Sequence, residues 1–133
     1  MVWVLLDTNV IISALIIDGF PRQILKSAID KRIRLITSPI LLSELTDVLR
    51  KKFNFTPKMT GIIHKKLRKI SQIIEPEIQI TFCRDSSDNR VLEAAISGKC
   101  DFIVTGDKDL LVLKQFETTK IISPKEFIKE LGS

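Results

Sequence analysis

Val2-Trp3-Val4-Leu5-Leu6-Asp7-Thr8-Asn9 runs from an apolar block into an abrupt polar stop. Five apolar residues in succession, two of them β-branched, predict a strand buried on both faces. The strand ends at Asp7, and a new apolar run, Val10-Ile11-Ile12, begins a turn later. In an open parallel sheet, ligands bind just outside the carboxyl ends of the strands, and Asp7 stands at such an end. Asp and Thr are also common helix caps. This stretch alone leaves both roles open for Asp7.

The same alternation of short strands and helices continues outward from it. Val10 to Ile17 predicts a short helix closed by Asp18-Gly19, and Pro21 opens a second helix with Ile24, Leu25, Ala28 and Ile29 at helical spacing. Arg32 to Thr37 alternates as a second strand. Ser38-Pro39 starts a helix with Leu41, Leu45, Val48 and Leu49 on one face. Thr56-Pro57 starts another, striped by Met59, Ile63, Leu67, Ile70 and Ile74. Together these predict a helical hairpin over about 39–75. Glu77 to Cys83 reads as a weaker third strand, alternating Ile78, Ile80 and Phe82. Asp85-Ser86-Ser87-Asp88 begins a helix that Gly98 stops. Asp101 to Thr105 is a fourth strand, Thr119 to Ile122 a fifth, and Ser123-Pro124 caps a last helix. With no repeats or linkers, 133 residues predict one α/β domain with a mostly parallel sheet covered by helices.

Composition narrows the function. At 44% hydrophobic and 28% charged residues the chain reads as an ordinary globular protein. The apolar start lacks a basic flank and a small-residue cleavage site, and no run is long and uncharged enough to span a bilayer. Cys83 and Cys100 are too few for a disulfide framework and lack metal-ligand spacing, so a cytoplasmic protein with reduced thiols is expected. The net charge of +5 is concentrated in one segment. Arg50, Lys51, Lys52, Lys58, Lys65, Lys66, Arg68 and Lys69 follow one another with no acid between them, whereas the remainder is slightly acidic. That asymmetry suits a polyanionic partner, although Lys-rich helices are often only solvated faces.

The acids fall into a pattern. Asp7 follows the first strand, Asp85 and Asp88 the third, and Asp107 the fourth, and right-handed crossovers bring these ends to one edge of the sheet. Glu44 lies in the second turn of the helix after the second strand, between Ile40 and Val48 at the margin of the apolar arc. A Glu there is uncommon unless paired. A divalent cation would neutralise such a group, and hard oxygen ligands without His or Cys point to Mg²⁺ or Mn²⁺. His64 is the single histidine and lies in the basic segment, which makes a Ser-His-Asp relay a poor fit. No phosphate-cradling glycine loop is present. Lys108 fits a receiver-like phosphoacceptor arrangement poorly.

Leu5-Leu6-Asp7-Thr8-Asn9, Ser43-Glu44-Leu45, Asp85 to Asn89 with Ala94-Ala95, and Ile103-Val104-Thr105-Gly106-Asp107-Lys108-Asp109-Leu110 together resemble a PIN-domain ribonuclease. The nearest resemblance is to the small PIN proteins that are toxin components of toxin–antitoxin pairs. It spans the whole chain, and the motif set in this order is specific. The resemblance implies a three-layer α/β/α sandwich with a mostly parallel five-stranded sheet of order 3-2-1-4-5, its site lying where strands one and four are adjacent. Asp7, Glu44, Asp88 and Asp107 match the family's acidic quartet; Asp109 and Asp85 match acids often found beside it, and Asn9 and Thr105 the polar residues behind it. Whether Asp107 or Asp109 stands nearer the metal is left open. The implied activity is RNA phosphodiester hydrolysis with Mg²⁺ or Mn²⁺ held by these acids. The implied partners are RNA, a small antitoxin protein and a second copy in a homodimer. Lys51, Lys52, Lys65, Lys66, Arg68 and Lys69 suit contact with an RNA backbone. The alternative is a PIN-like domain without turnover that serves as an RNA- or protein-binding module.

Overall fold

The computed structural model describes residues 1–132, and its sheet grows outward from the opening strand. β1 (Trp3–Leu6) is central, flanked in parallel by β2 (Arg34–Thr37) and β4 (Phe102–Val104). β3 (Ser71–Ile73) pairs in parallel outside β2, and β6 (Thr119–Ile122) outside β4. β5 (Gln115–Phe116) closes that edge antiparallel to β6. The order is β3-β2-β1-β4-β6-β5. The expected order is therefore kept, with six strands in place of five. The extra strand is one arm of a tight hairpin whose return uses Glu117 in the left-handed region, φ 55°.

Alternation along β1 sends Val4 and Leu6 to one face and Leu5 to the other, and each face is covered. α1 (Thr8–Ile16), α2 (Phe20–Ile29), α3 (Pro39–Phe53), α4 (Pro57–Ile70) and α7 (Pro124–Leu131) cover the first, contributing Val10, Ile24, Leu45, Leu67 and Phe127 to its core. α5 (Ser86–Ser97) and α6 (Lys108–Leu111) cover the second, where Leu92, Ala95 and Leu110 meet Leu5, Ile36 and Ile103. Three helices start as the sequence predicts. Ser38, Thr56 and Ser123 each accept a backbone N–H through the side-chain oxygen, and each is followed by Pro in the first turn. Among the described residues, no helix is long and apolar enough to cross a membrane.

The third strand lies elsewhere than expected. α4 ends at Ile70 rather than Ile74, and Ser71 turns extended, φ −122° and ψ 153°. Ser71, Gln72 and Ile73 then pair with Leu35, Ile36 and Thr37. Glu77 to Cys83 forms no strand. Ile78 and Phe82 are exposed, and the backbone of Ile80 is taken up by side chains. Its N–H donates to Glu93 Oε2 at 2.8 Å and its carbonyl accepts from Arg90 at 3.3 Å. Those bonds satisfy the polar groups that a sheet ladder would otherwise use.

Gly98 does end α5, for a different reason than a left-handed cap. Its φ is −86°, and the left-handed residue is Lys99, φ 54°. A Cβ on Gly98 would stand 2.7 Å from Ile36 Cγ2. The glycine is required because the helix end closes directly on β2.

Candidate functional site

Asp7 extends the sheet by one bond beyond β1, its N–H donating to Val104 O at 3.0 Å. The carboxylate is held at both oxygens. Oδ1 accepts from Thr8 N at 2.7 Å, capping α1, and Oδ2 accepts from the Thr105 hydroxyl at 2.7 Å. Capping and membership of the acidic group are thus not alternatives, since one oxygen serves each. Thr105, completely buried, also accepts from Asp107 N through the same hydroxyl at 3.0 Å. One hydroxyl therefore couples the ends of β1 and β4, which the parallel register has already set side by side.

Asp107 in turn caps α6, its Oδ1 accepting from Asp109 N at 2.9 Å. Asp88 is buried in the first turn of α5 and shares a side-chain hydrogen bond with Asp107. Asp88, Asp107 and Asp109 each offer a carboxylate oxygen, all within 4.8 Å of one another, a grouping that could hold a metal ion. Asp85 caps α5 through Ser87 N at 2.9 Å and is exposed at the rim. Glu44 reaches the group from α3, half-buried, bonded to the Thr8 side chain and within electrostatic range of Asp7 and Asp85.

Crowding leaves its mark on the acids. Asp88 is pushed up to about 7, first by desolvation, then by the hydrogen bond and negative charge of Asp107 and by the charges of Asp85 and Asp7. Burial raises Asp7, the charges of Asp107 and Asp85 add to it, and the bonds from Thr105 and Thr8 pull back. Glu44 is raised by desolvation and by Asp7 and Asp85. Carboxylates that disfavour one another's ionised form are what a bound cation would relieve.

The sheet edge thus gathers Asp7, Glu44, Asp85, Asp88, Asp107, Asp109 and Thr105. Asn9 is exposed on the first turn of α1. Lys51 and Lys52 share an open groove of about 320 Å³ with Glu44, Asp47 and Val48. Lys66 and Lys69 are not brought there. Both line an apolar groove with Leu15, Leu25 and Ile29, and Lys69 also stands beside Met1, Lys31 and Arg34. Ser71 is level with Leu35 and, through it, with Val4. The end of α4 therefore lies at the amino edge of the sheet, three strand residues or about 10 Å short of Asp7. Lys65 and Arg68 are exposed on the same helix. Sequence reasoning missed Arg84, whose guanidinium lies 3.9 Å from Asp109 Oδ2. Its position immediately before Asp85 was the available signal.

The sequence profile of the PIN domain matches residues 3–109. This chain belongs to the PIN domain family. An uncharacterized protein of Methanocaldococcus jannaschii is 36% identical to this PIN domain over 141 residues, spanning 96% of this chain and 90% of its own. The crystal structure of FitAcB from Neisseria gonorrhoeae has a similar fold, with a TM-score of 0.54 and 18% identity over 92% of this chain and 98% of that one. The segment matched to the PIN domain ends at Asp109 and so takes in every acid of the cluster.

Proposed function

We propose that this PIN domain hydrolyses RNA phosphodiester bonds with Mg²⁺ or Mn²⁺, and that it acts in the cytoplasm as the toxin of a toxin–antitoxin pair. One observation carries the enzymatic reading: Thr105 ties Asp7 to Asp107 beside the Asp88–Asp107–Asp109 group. Caps alone would not call for that link. The donor set fits a hard divalent ion, being oxygen only and crowded, with Asp7, Glu44 and Asp88 raised in pKa. Asp7, Glu44, Asp88, Asp107 and Asp109 are the residues that would hold it. A bound ion supplies Lewis acidity that activates water and neutralises charge gathering on the phosphate.

The chain's own contribution is orientation and proton control. Thr105 and Thr8 N fix both oxygens of Asp7, so the carboxylate cannot rotate away from the cluster. Asp88, raised to about 7 beside Asp107, still carries part of a proton near neutral pH and must give it up before both can serve a cation. Lys51 and Lys52, in the groove that contains Glu44, are basic residues placed to meet RNA phosphates beside the acids. The toxin role, with an antitoxin partner and a homodimer, rests on the family and on the motif resemblance.

Purified protein should shorten labelled RNA in Mn²⁺ and leave it intact in EDTA. Asp7→Asn keeps a capping oxygen and the Thr105 contact but removes the charge, and should lower cleavage by a factor of about 100 or more with the melting temperature little changed. An Asp7→Asn protein that cuts at the wild-type rate overturns the assignment.

A further inference from the structure

Apart from the Thr105 hydroxyl, the side chains gathered at the carboxyl edge are acidic, yet the proposed substrate is a polyanion. The loop from Phe82 to Asp85 supplies what the cluster lacks. Arg84 is, among the described residues, the one cation ion-paired with a member of the cluster, and at 3.9 Å the pair is loose. Its side chain is 91% exposed, so little holds the guanidinium against Asp109. The backbone beneath it is fixed on both sides. Asn89 Oδ1 accepts from Cys83 N at 2.7 Å and Asn89 Nδ2 donates to Cys83 O at 3.2 Å, while Asp85 caps α5. A rigid base with a free cationic tip suits a group that trades a weak internal partner for a ligand.

Two residues earlier stands Phe82, 63% exposed and touching Phe116 in a tilted ring contact at 5.6 Å. An aromatic face and a guanidinium on one short loop are the two elements that bind single-stranded nucleic acid, one stacking a base and the other holding a phosphate. We propose that the Phe82–Arg84 loop is a subsite for the nucleotide flanking the cut, with the base on Phe82 and the phosphate on Arg84. This rests on the ribonuclease reading and adds to it the residues that hold the flanking nucleotide. The flanking position follows from burial. Asp7 and Asp88 are buried, whereas Asp109, the partner of Arg84, is exposed. Arg84 therefore stands on the solvent side of the reacting centre.

The test measures binding without turnover, using labelled single-stranded RNA and full-length protein in Ca²⁺ at several salt concentrations. Arg84→Gln should weaken binding about tenfold and reduce the salt slope by about 0.7, the value for one phosphate contact on a single strand. Phe82→Leu keeps the apolar contact with Phe116 but removes the stacking face, and should weaken binding about fivefold with the slope unchanged. Blunt duplex RNA should be indifferent to Phe82→Leu. In cleavage assays Arg84→Gln should raise KM about tenfold and leave kcat within about twofold, because uniform binding is lost rather than transition-state stabilisation. Melting temperatures of both variants, with and without Mn²⁺, should match wild type, since an exposed pair at this distance contributes little.

Unchanged affinity and salt slope in Arg84→Gln overturn the inference while leaving metal-dependent cleavage by wild type, and with it the proposed function, standing. A changed Mn²⁺ response with unchanged RNA affinity makes Arg84 a counter-ion of Asp109 and also overturns it. Wild-type protein that neither binds nor cuts the RNA removes the ribonuclease reading and the subsite together.

Discussion

Replacing Asp88 by Asn should stabilise the metal-free protein, and only above the pH at which the unfolded carboxyl ionises. The carboxylate oxygens of Asp88, Asp107 and Asp109 lie within 4.8 Å of one another. At that separation two unit charges repel by about 3.5 kcal/mol at an effective dielectric of about 20 and by about 1 kcal/mol in bulk water. Asp109 is exposed and Asp107 half-buried, so values toward the lower end apply. Removing the charge of Asp88 deletes two such pairs, a relief of about 2–3 kcal/mol. Against this stands the loss of an acid in the first turn of α5, worth about 0.5–1 kcal/mol through the helix dipole. The Asn amide can still donate to Asp107. The net gain of about 1–2 kcal/mol corresponds to roughly 3–10 °C for a domain of this size. The pH dependence follows from the raised pKa. The folded carboxyl holds its proton to about 7, so its stabilising contribution is complete below the unfolded value of 3.8 and is lost as pH rises through about 7. Near pH 3.5 the variant and wild type should therefore melt together, and in EDTA near pH 8 the variant should melt higher. Millimolar Mn²⁺ should reverse the ranking, because wild type gains by mass action and the variant gains less. Melting curves by circular dichroism under the three conditions suffice. A variant that is less stable by the same amount in all three would reduce Asp88 to a helix-terminal acid and refute the crowding argument.

Reversing Lys65, Lys66 and Lys69 to Glu should weaken binding of long RNA and flatten its salt dependence, while metal-induced stabilisation and cleavage of a short oligonucleotide persist, because Lys66 and Lys69 line surfaces toward the amino edge of the sheet. Unchanged affinity for long RNA would leave the segment to solvent or to a protein partner. Gly98→Ala should destabilise the fold by about 1–3 kcal/mol, since its Cβ would overlap the buried Ile36 side chain. A neutral substitution in thermal melts would show that β2 and the end of α5 yield more easily than their packing implies.

The opening strand and the Ser/Thr-Pro helix starts were legible because they follow from local rules. A buried apolar run and a capping oxygen need no knowledge of distant partners. β3 was not legible: the helical stripe of Ile63, Leu67 and Ile70 runs on to Ile74 across Ser71 to Ile73, and only pairing with β2, more than 30 residues away, makes those three extended. β5 is two residues long, too short to leave a pattern. The acids could be collected from sequence because each lies at or near the start of a helix. The Thr105 bridge could not be read, since its hydroxyl joins residues 98 positions apart. The location of Lys69 depends on the register of β3, so a basic run that reads as one arm in sequence is divided in space, with Lys51 and Lys52 beside Glu44 and Lys69 beside Arg34.

The central claim is that the Asp7, Asp88, Asp107 and Asp109 carboxylates form a divalent-metal site. Crystals grown in Mn²⁺ and measured near the manganese absorption edge test it directly. The account predicts an anomalous difference peak bounded by Asp88, Asp107 and Asp109, with Asp7 facing it, and the same crystals of Asp7→Asn should show that peak weakened or absent. An empty cluster at millimolar Mn²⁺, or a peak confined to other surface acids, would contradict it.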